Sequence, residues 1–393
     1  MPRKSFNLFA IFAIAGLGAF YCGQAAAQES IRIGLVMPLT GVLGPVGKQA
    51  VAGARLYMAQ HGDTVAGRKV ELIVRDDASV PDNAKRIAQE MIVTDKVAVL
   101  GAGLTPSVLA MAPLVTESKT ATVVMVSGTS IVTERSPYFV RTSWTHAQQA
   151  SVLANWAAQN GAKRVTIISS DWAPGHEASG VFANTFTKAG GTIVETLKVP
   201  LANPDFAPFL QRARDGNPDT LFVFVPASQA AILAKQFVER GLDKSGIRLI
   251  GPGDIADDED LPGMSDAMAG TVTAGFYSAY HPSQMNRDYV AAFKKANSGV
   301  RPNFISVSAY DGMHLIYNAL GKTQGRTDGT ALVEAMKGMA WESPRGPMSI
   351  DARTRDVVHD IYIRRVEKVD GALYSVEFAT FEAVSDPTKL ANN

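Results

Sequence analysis

The sequence predicts an α/β protein made of two doubly wound units, each a parallel β-sheet covered by helices on both faces. Short β-branched runs alternate with segments of helical periodicity, and this alternation occurs once before about residue 143 and again after it. The length of 393 residues agrees with this division, because it is enough chain for two separate cores. A cleft between two such cores is a natural place for a ligand.

The first 27 residues predict a secretory signal peptide and not a part of this fold. Arg3 and Lys4 give a positive start, residues 8–20 form an apolar run, and small residues up to Ala27 allow cleavage near that position. A membrane anchor is the weaker interpretation, since spanning a bilayer takes about 20 apolar residues. The single cysteine, Cys22, would leave with this segment. We therefore expect a soluble periplasmic protein without disulfides.

The next part of the chain supplies the strands and helices of both units. Residues 84–92 and 230–238 carry apolar side chains at the i, i+3, i+4, i+7 spacing of amphipathic helices. Eight short β-branched runs are interpreted as strands, at residues 31–37, 70–74, 97–100, 122–126, 165–169, 192–197, 221–225 and 248–250. Strands that alternate with helices in this way are typical of parallel sheets.

The C-terminal part follows a different order. Helical patterns cover residues 289–296, 307–320 and 331–339, and strand-like patterns return between residues 346 and 380. We therefore expect the chain to cross between the two units more than once. A hinge with several crossings permits closure about a cleft and restricts free rotation of the units.

Composition and motifs argue against several classes of function. The net charge of +1 lacks the basic excess of a nucleic-acid-binding protein, and no two of the six histidines have a metal-ligand spacing. Gly47-Lys48 and the segment 101–106 are incomplete versions of phosphate-binding and dinucleotide-binding loops. No set of aligned acid, base and nucleophile emerges. We expect a binding protein that is not an enzyme and uses neither a metal nor another cofactor.

Hydroxyl side chains follow two strands of the first unit. Thr105 and Ser107 come after one strand, and Ser127 and Thr129 come after the next. Thr105 fits a helix N-cap, with Pro106 as the first helical residue. Ligands of doubly wound folds bind at the carboxyl ends of strands, where free N–H groups and hydroxyls suit an anion. The pattern predicts a site for a small carboxylate, although ordinary capping also explains Thr105.

One acidic residue of the second unit has a comparable position. Asp254 lies immediately beyond a predicted strand end, after Gly251 and Gly253. The acids at 257–260 that follow do not match the pattern of a calcium loop and are interpreted as a solvated loop. Asp254 is therefore the acid that we expect at a ligand site.

Several short motifs then show a characteristic order. They are IGLVMPLTG at 33–41, VRDD at 74–77, GAGLTPS at 101–107, VSGT at 126–129, RT at 141–142, GPGD at 251–254 and AYDG at 309–312. In order and spacing they resemble the periplasmic solute-binding proteins of ABC importers, in the branched-chain amino acid (Leu/Ile/Val-binding) group. The resemblance covers nearly the whole chain from Ile31 onward.

The resemblance implies a type I periplasmic binding protein fold, with two Rossmann-like lobes joined by a three-crossing hinge. On this basis we assign residues 28–143 and 275–346 to lobe 1. Residues 144–274 and 347–393 are assigned to lobe 2. The expected crossings agree with the change of pattern in the C-terminal part.

The resemblance also implies roles for individual residues. Thr105, Ser127 and Thr129 match the positions that hold the ligand carboxylate, and Asp254 is the nearest match to the acid that holds the ligand ammonium.

The aromatic surface beside the ammonium is less well kept in this sequence. Pro174 stands where the family often has a tyrosine, and residues 226–228 also lack one. Trp172, Tyr277 and Tyr280 could supply that surface from neighbouring positions.

The implied function is the extracytoplasmic substrate-binding component of an ABC importer. Its partners would be a membrane permease with a separate ATPase, and its ligand a branched-chain or other hydrophobic amino acid. The changed aromatic positions leave open an aromatic or keto carboxylate without an ammonium group. A ligand sensor that presents its closed form to a signalling receptor is a further alternative.

Overall fold

The structure is a computed structural model that describes residues 1–2 and 29–390. Residues 3–28, which contain most of the predicted signal peptide and Cys22, lie outside the described residues. Within the described part of the chain, no helix combines the length and the apolar character needed to cross a bilayer.

The first lobe is built on a six-stranded sheet with the strand order β2-β3-β1-β4-β5-β6. All neighbouring strands are parallel except the short β2–β3 pair. Its elements are β1 (Ile31–Met37), α1 (Gly44–His61), β2 (Thr64–Val65), β3 (Arg68–Asp76), α2 (Pro81–Val93), β4 (Val99–Ala102), α3 (Thr105–Glu117), β5 (Ala121–Val124) and β6 (Phe139–Arg141). The four strands predicted in this region are confirmed.

The second lobe begins with α4 and continues the alternation of strand and helix. Its parallel strands lie in the order β10-β9-β7-β8, with β11 beside β10. The elements are α4 (His146–Gln159), β7 (Arg164–Ser170), α5 (Ala173–Lys188), β8 (Thr192–Val199), α6 (Ala207–Asp215), β9 (Thr220–Phe224), α7 (Ala227–Glu239), β10 (Arg248–Pro252) and β11 (Val272–Gly275). The four strands predicted here are also confirmed.

The C-terminal part serves both lobes, as its change of pattern predicts. The helices α8 (Gln284–Ala296), α9 (Phe304–Lys322) and α10 (Gly329–Met336) return to the first lobe, where α9 packs along α1. Antiparallel strands then extend the second sheet to nine strands: β12 (Ala340–Ser343), β13 (Gly346–Ile350), β14 (Val357–Val369) and β15 (Ala372–Val384), followed by α11 (Pro387–Leu390). The chain thus passes between the lobes three times, after β6, after β11 and after α10.

One predicted lobe boundary needs correction. Residues 340–346 were assigned to lobe 1, but β12 forms a tight hairpin with β13 and so belongs to the second sheet. The pairing of Ser343 with Gly346 closes this hairpin, and Gly346 has a φ of +97° that favours glycine. The other assigned boundaries remain a prediction.

The core explains why the strands of the first lobe are apolar throughout. Leu35 and Met37 of β1 belong to a large cluster that extends through the hinge into both lobes. Val36, between them, points to a separate cluster with α2 and α3 on the other face of the sheet. Because both faces of a parallel sheet are covered by helices, its strands are continuous apolar runs.

Candidate functional site

A cavity lies between the lobes, where the carboxyl ends of strands from both sheets face each other. Thr105 and Ser127 line it from the first lobe, each three positions after a strand end, β4 at Ala102 and β5 at Val124. Trp172 and Asp254 line it from the second lobe, after β7 and β10. The space between its lining atoms is ≈ 520 Å³, a volume that includes open solvent at its mouth. Strand ends at an interlobe crevice are the usual ligand position in this class of fold.

The first-lobe side of the cavity is a network of hydroxyl groups. Thr105 Oγ1 lies 2.5 Å from Ser127 Oγ and 3.1 Å from Thr129 Oγ1. The prediction that Thr105 caps α3 is wrong, because Leu104 is the N-cap and Thr105 is the first helical residue. Its hydroxyl is engaged with Ser127 instead. We call Thr105, Ser127 and Gly128 the hydroxyl wall. Thr105 and Ser127 supply its hydroxyl groups, and Gly128 contributes its backbone beside them.

A buried arginine supports this wall from behind. Arg141 donates from Nη1 to the backbone oxygens of Ser127 (3.1 Å) and Trp144 (2.8 Å), and from Nη2 to that of Thr129 (2.7 Å). Its Nε lies 2.8 Å from Asp356 Oδ1. The guanidinium is therefore used within the protein, and among the described residues neither Lys nor Arg lines the cavity.

Helix N-termini provide the positive potential that side chains do not. Six helices begin at the cavity, namely α1, α3, α4, α5, α7 and α9. A helix N-terminus has N–H groups without intrahelical partners and about half a positive charge. Side-chain caps take up some of these N–H groups in α4 and α9, whereas α1, α3, α5 and α7 have no side-chain cap. Together with the hydroxyl wall, this arrangement can hold a carboxylate without an ion pair.

The remaining surface of the cavity is apolar and strongly aromatic. Trp144, Trp172, Phe224 and Phe304 contribute rings, and aliphatic side chains and prolines fill the space between them. The Trp144 ring is held by an edge contact with Phe304 at 4.9 Å between centroids, and it stacks on Phe276 at 5.5 Å. Aromatic faces and edges of this kind suit a flat, unsaturated ligand.

Asp254 is the one acidic side chain among the described residues that line the cavity. It is buried in a short 3₁₀ helix that follows β10, and its Oδ2 has no hydrogen-bond partner among the described residues. Burial raises the pKa of Asp254 to about 7, partly opposed by its own backbone N–H and by the positive charge of Arg364. At and below neutral pH a large fraction of this carboxyl is therefore protonated and can donate a hydrogen bond.

Four predicted site residues lie elsewhere than at the cavity surface. Thr129 does not line the cavity, and its hydroxyl lies 3.1 Å from Thr105 Oγ1. Ser107 donates its hydroxyl to Asp77 Oδ2 at 2.7 Å. The remaining two are tyrosines of the segment that joins β11 to α8: Tyr277 is fully buried in the hinge, and Tyr280 is 45% exposed. The predicted ligand contacts of these four residues find no support in the geometry.

Sequence reasoning missed Trp144, His146, Phe224 and Phe304. Phe224 ends β9, so the strand-end argument that selected Asp254 could have selected it too. His146 follows Thr145, which forms a capping box with Gln148 at N3 of α4. This pattern predicts where the helix begins but not that its first residue lines a cavity. Trp144 and Phe304 reach the cavity through the path of the hinge, which no local pattern reveals.

The described residues offer no group of three or more His, Cys, Asp or Glu side chains that could hold a metal ion.

Comparison with known proteins places this two-lobed binding fold in a family. The profile of the family described as periplasmic binding protein matches residues 30–372. A solute-binding protein of an ABC transporter from Rhodopseudomonas palustris BisB5, solved with 3,4-dihydroxybenzoic acid, is 58% identical; the match covers 92% of this chain and 100% of that one, with a TM-score of 0.90.

Two further relatives point to the same class. A solute-binding protein of an ABC transporter from Rhodopseudomonas palustris HaA2, solved with p-hydroxybenzoic acid, is 39% identical over 93% of this chain and 100% of that one, with a TM-score of 0.89. A Brucella suis protein named Leu/Ile/Val-binding protein homolog 6 is 38% identical over 98% of this chain and 99% of its own.

The chain belongs to the periplasmic binding protein family. It is a substrate-binding protein of the ABC-transporter type and not an enzyme.

Proposed function

We propose that this protein binds an aromatic carboxylate of the hydroxybenzoate class and delivers it to the permease of an ABC importer, which is driven by a separate ATPase. The observation that carries the proposal is the composition of the cavity: a cation-free hydroxyl wall faces a predominantly aromatic surface. We place the protein in the periplasm, after removal of the segment up to about Ala27.

The ligand carboxylate would bind at the hydroxyl wall. Ser127 Oγ can donate to it while Thr105 Oγ1 donates to Ser127, and the N-terminus of α3 adds its dipole. The ligand ring would lie among Trp144, Phe224 and Phe304. Solved relatives that hold hydroxylated benzoic acids, at 58% and 39% identity, support this ligand class.

Asp254 would meet the substituent at the far end of the ring. A protonated carboxyl can donate to a phenolic oxygen or accept from a phenolic hydroxyl, whereas an ammonium group needs an ionised carboxylate. Because burial raises the pKa of Asp254 to about 7, a large fraction of the carboxyl is protonated near neutral pH, which supports a phenolic hydroxyl as its partner.

A hydrophobic amino acid is the second candidate ligand, favoured by the name of the Brucella suis relative. It would use the same carboxylate wall and would require Asp254 to ionise beside its ammonium group. For either ligand, we propose that docking on the hydroxyl wall comes first and that the second lobe then closes with Trp172 and Asp254.

A ligand screen tests the proposal. Calorimetry and thermal unfolding of the protein without its leader would be measured with 4-hydroxybenzoate, 3,4-dihydroxybenzoate, benzoate, 4-methyl-2-oxopentanoate and leucine. We expect the two hydroxybenzoates to bind most tightly, and a ligand at 100 times its Kd to add about 2.7 kcal/mol to the free energy of unfolding. Tight binding of leucine with none of the hydroxybenzoates would overturn the proposal in favour of the amino-acid candidate.

A further inference from the structure

His146 occupies a fixed position beside the hydroxyl wall. It is the first residue of α4, and its backbone N–H donates to the backbone oxygen of Gly128 at 2.8 Å. Thr145 and Gln148 lock this helix start, since Thr145 N donates to Gln148 Oε1 at 2.8 Å and Gln148 N donates to Thr145 Oγ1 at 3.2 Å. The imidazole lines the cavity although the residue is only 4% exposed.

Trp144 determines which ring nitrogen of His146 carries the proton. Its indole Nε1 lies 3.4 Å from His146 Nδ1, and an indole N–H can only donate. Nδ1 must therefore accept, which leaves the hydrogen of a neutral imidazole on Nε2. The contacts of Trp144 with Phe276 and Phe304 hold the indole in the orientation that this bond needs.

The surroundings of His146 keep the imidazole neutral. Burial lowers its pKa to about 3, and the positive charge of Arg141 contributes in the same direction. Phe224 covers the ring with a T-shaped contact at 4.9 Å between centroids.

Gly128 shows where the protonated nitrogen lies. A methyl group placed on its Cα would come within 2.5 Å of His146 Nε2 and 2.6 Å of Trp144 Nε1. Gly128 itself lines the cavity next to Ser127. The Nε2–H group is therefore beside the hydroxyl wall, and no hydrogen bond of Nε2 is formed within the described residues.

We propose that neutral His146 donates a hydrogen bond from Nε2 to the ligand carboxylate, and that Trp144 is a positioning residue that fixes the required tautomer. The proposal rests on the proposed function, since it assigns a contact within the same site. A neutral imidazole that donates from Nε2 can bind an anionic group without taking up a proton. The same nitrogen offers no acceptor to a cationic group. The pair Trp144–His146 would thus decide which end of a ligand enters this side of the cavity.

The tautomer is testable without any ligand. In protein labelled with ¹⁵N-histidine, two-bond ¹H–¹⁵N spectra distinguish the two neutral tautomers and the imidazolium, and loss of one signal set in His146→Gln assigns the residue. We expect the Nε2–H tautomer at pH 7, and a mixture of tautomers in Trp144→Phe. The Nδ1–H form or an imidazolium in the unsubstituted protein would overturn the proposal.

Binding of 4-hydroxybenzoate tests the contact itself. We expect His146→Phe, which keeps the ring volume but no donor, to weaken binding about ten-fold, because a hydrogen bond to a charged group is lost. His146→Gln keeps a donor and should recover part of that loss.

Trp144→Phe should weaken binding when His146 is present and have little further effect when it is combined with His146→Phe, whereas a purely structural role predicts additive losses. Trp156→Phe is the matched control, because this partly buried tryptophan lies near the C-terminal end of α4, against Phe378, and is not among the described residues that line the cavity.

The outcomes separate this inference from the proposed function. Unchanged affinity of His146→Phe for 4-hydroxybenzoate would overturn the His146 contact and leave the ligand class standing. If only leucine binds, the proposed ligand class is overturned, and the same variants are then titrated with leucine, whose carboxylate would make the same contact.

Discussion

The two sides of the cavity differ in how their polar atoms are satisfied. On the first-lobe side, Thr105 Oγ1 lies within hydrogen-bond distance of both Ser127 Oγ and Thr129 Oγ1, and Arg141 donates to the backbone oxygens of Ser127 and Thr129. On the second-lobe side, Trp172 Nε1 and Asp254 Oδ2 are buried without a hydrogen-bond partner among the described residues. The hydroxyls of the first-lobe side are thus oriented by bonds within the protein, whereas the two polar atoms of the second-lobe side are not.

This difference indicates that the two sides of the cavity recognise different parts of the ligand. A wall whose hydroxyls are already oriented loses little freedom on binding, so it suits the group that all ligands of the site would share, the carboxylate. Unsatisfied buried groups are costly unless a ligand completes them, so they discriminate between ligands that differ at the other end. We therefore expect substitutions on the hydroxyl wall to weaken all ligands alike and substitutions on the second lobe to change their ranking.

The largest effect should come from Gly128→Ala. The added Cβ would lie within 2.6 Å of both the Trp144 and the His146 ring nitrogens, which are packed and cannot withdraw. Displacing two groups of the carboxylate side should weaken every ligand by roughly 100-fold, in line with about 3 kcal/mol for overpacking. Calorimetry with two ligands checks this expectation. Gly180→Ala is the control, since nothing lies within 4 Å of its added Cβ; equal affinities of the two variants would contradict the close approach.

Ser127→Ala should have the next largest effect. The hydroxyl lies at the cavity 2.5 Å from Thr105 Oγ1, and losing one bond to a carboxylate costs about 1.5–3 kcal/mol, or ten-fold and more in Kd. Ser107→Ala is a matched control, because the Ser107 hydroxyl is bound to Asp77. We expect that control to lower thermal stability while leaving the Kd unchanged. A loss of affinity in Ser107→Ala equal to that in Ser127→Ala would restore Ser107 to the site.

The sequence was sufficient for the parts of this site that follow from strand order. Thr105, Ser127, Trp172 and Asp254 all follow strands, and the carboxyl ends of parallel strands meet at one sheet edge. Local sequence patterns do not predict the path of the hinge, because the direction in which a crossing segment presents Tyr277 depends on three stretches of chain that are distant in sequence. The aromatic character of Tyr277 and Tyr280 therefore did not predict their positions. No local pattern predicted that Trp144 lines the cavity.

A smaller effect is expected where the two lobes touch. Ser130, the residue after Thr129 in the first lobe, donates from its backbone N to Glu177 Oε1 on α5 of the second lobe at 2.9 Å, and from Oγ at 2.5 Å. This contact exists only when the lobes are together, so it should favour the closed form. Glu177→Gln should weaken all ligands about five-fold through the loss of about 1 kcal/mol, mainly by faster dissociation in stopped-flow measurements.

Glu239→Gln is the control for Glu177→Gln. Glu239 is exposed on the surface of α7, where its Oε1 lies 3.8 Å from Lys235 Nζ. A dissociation rate of Glu177→Gln that matches the rate of Glu239→Gln would show that the Ser130–Glu177 contact does not contribute to closure.

Asp254→Asn should affect hydroxybenzoate binding least and ligand ranking most. An amide keeps one donor and one acceptor for a phenolic hydroxyl, so we expect the Kd of 4-hydroxybenzoate to change by no more than about two-fold, well within the energy of one neutral hydrogen bond. A ligand with an ammonium group would lose its counter-charge. A larger loss for 4-hydroxybenzoate than for leucine would contradict the assignment of this side of the cavity to a hydroxyl.

The same substitution has a pH-dependent effect on folding. With its pKa raised by burial to about 7, Asp254 holds a proton in the folded protein that the unfolded chain releases near its ordinary pKa of 3.8. The folded state thus binds more protons in this window, so the Asp254 contribution to the free energy of unfolding falls as pH rises from about 4 to 7. Asn does not titrate, so Asp254→Asn should gain stability relative to the unsubstituted protein between pH 5 and pH 8 in urea unfolding. A difference in stability that stays constant with pH would mean that Asp254 is already ionised in the folded protein, and the second-lobe side would then present a carboxylate suited to an ammonium group.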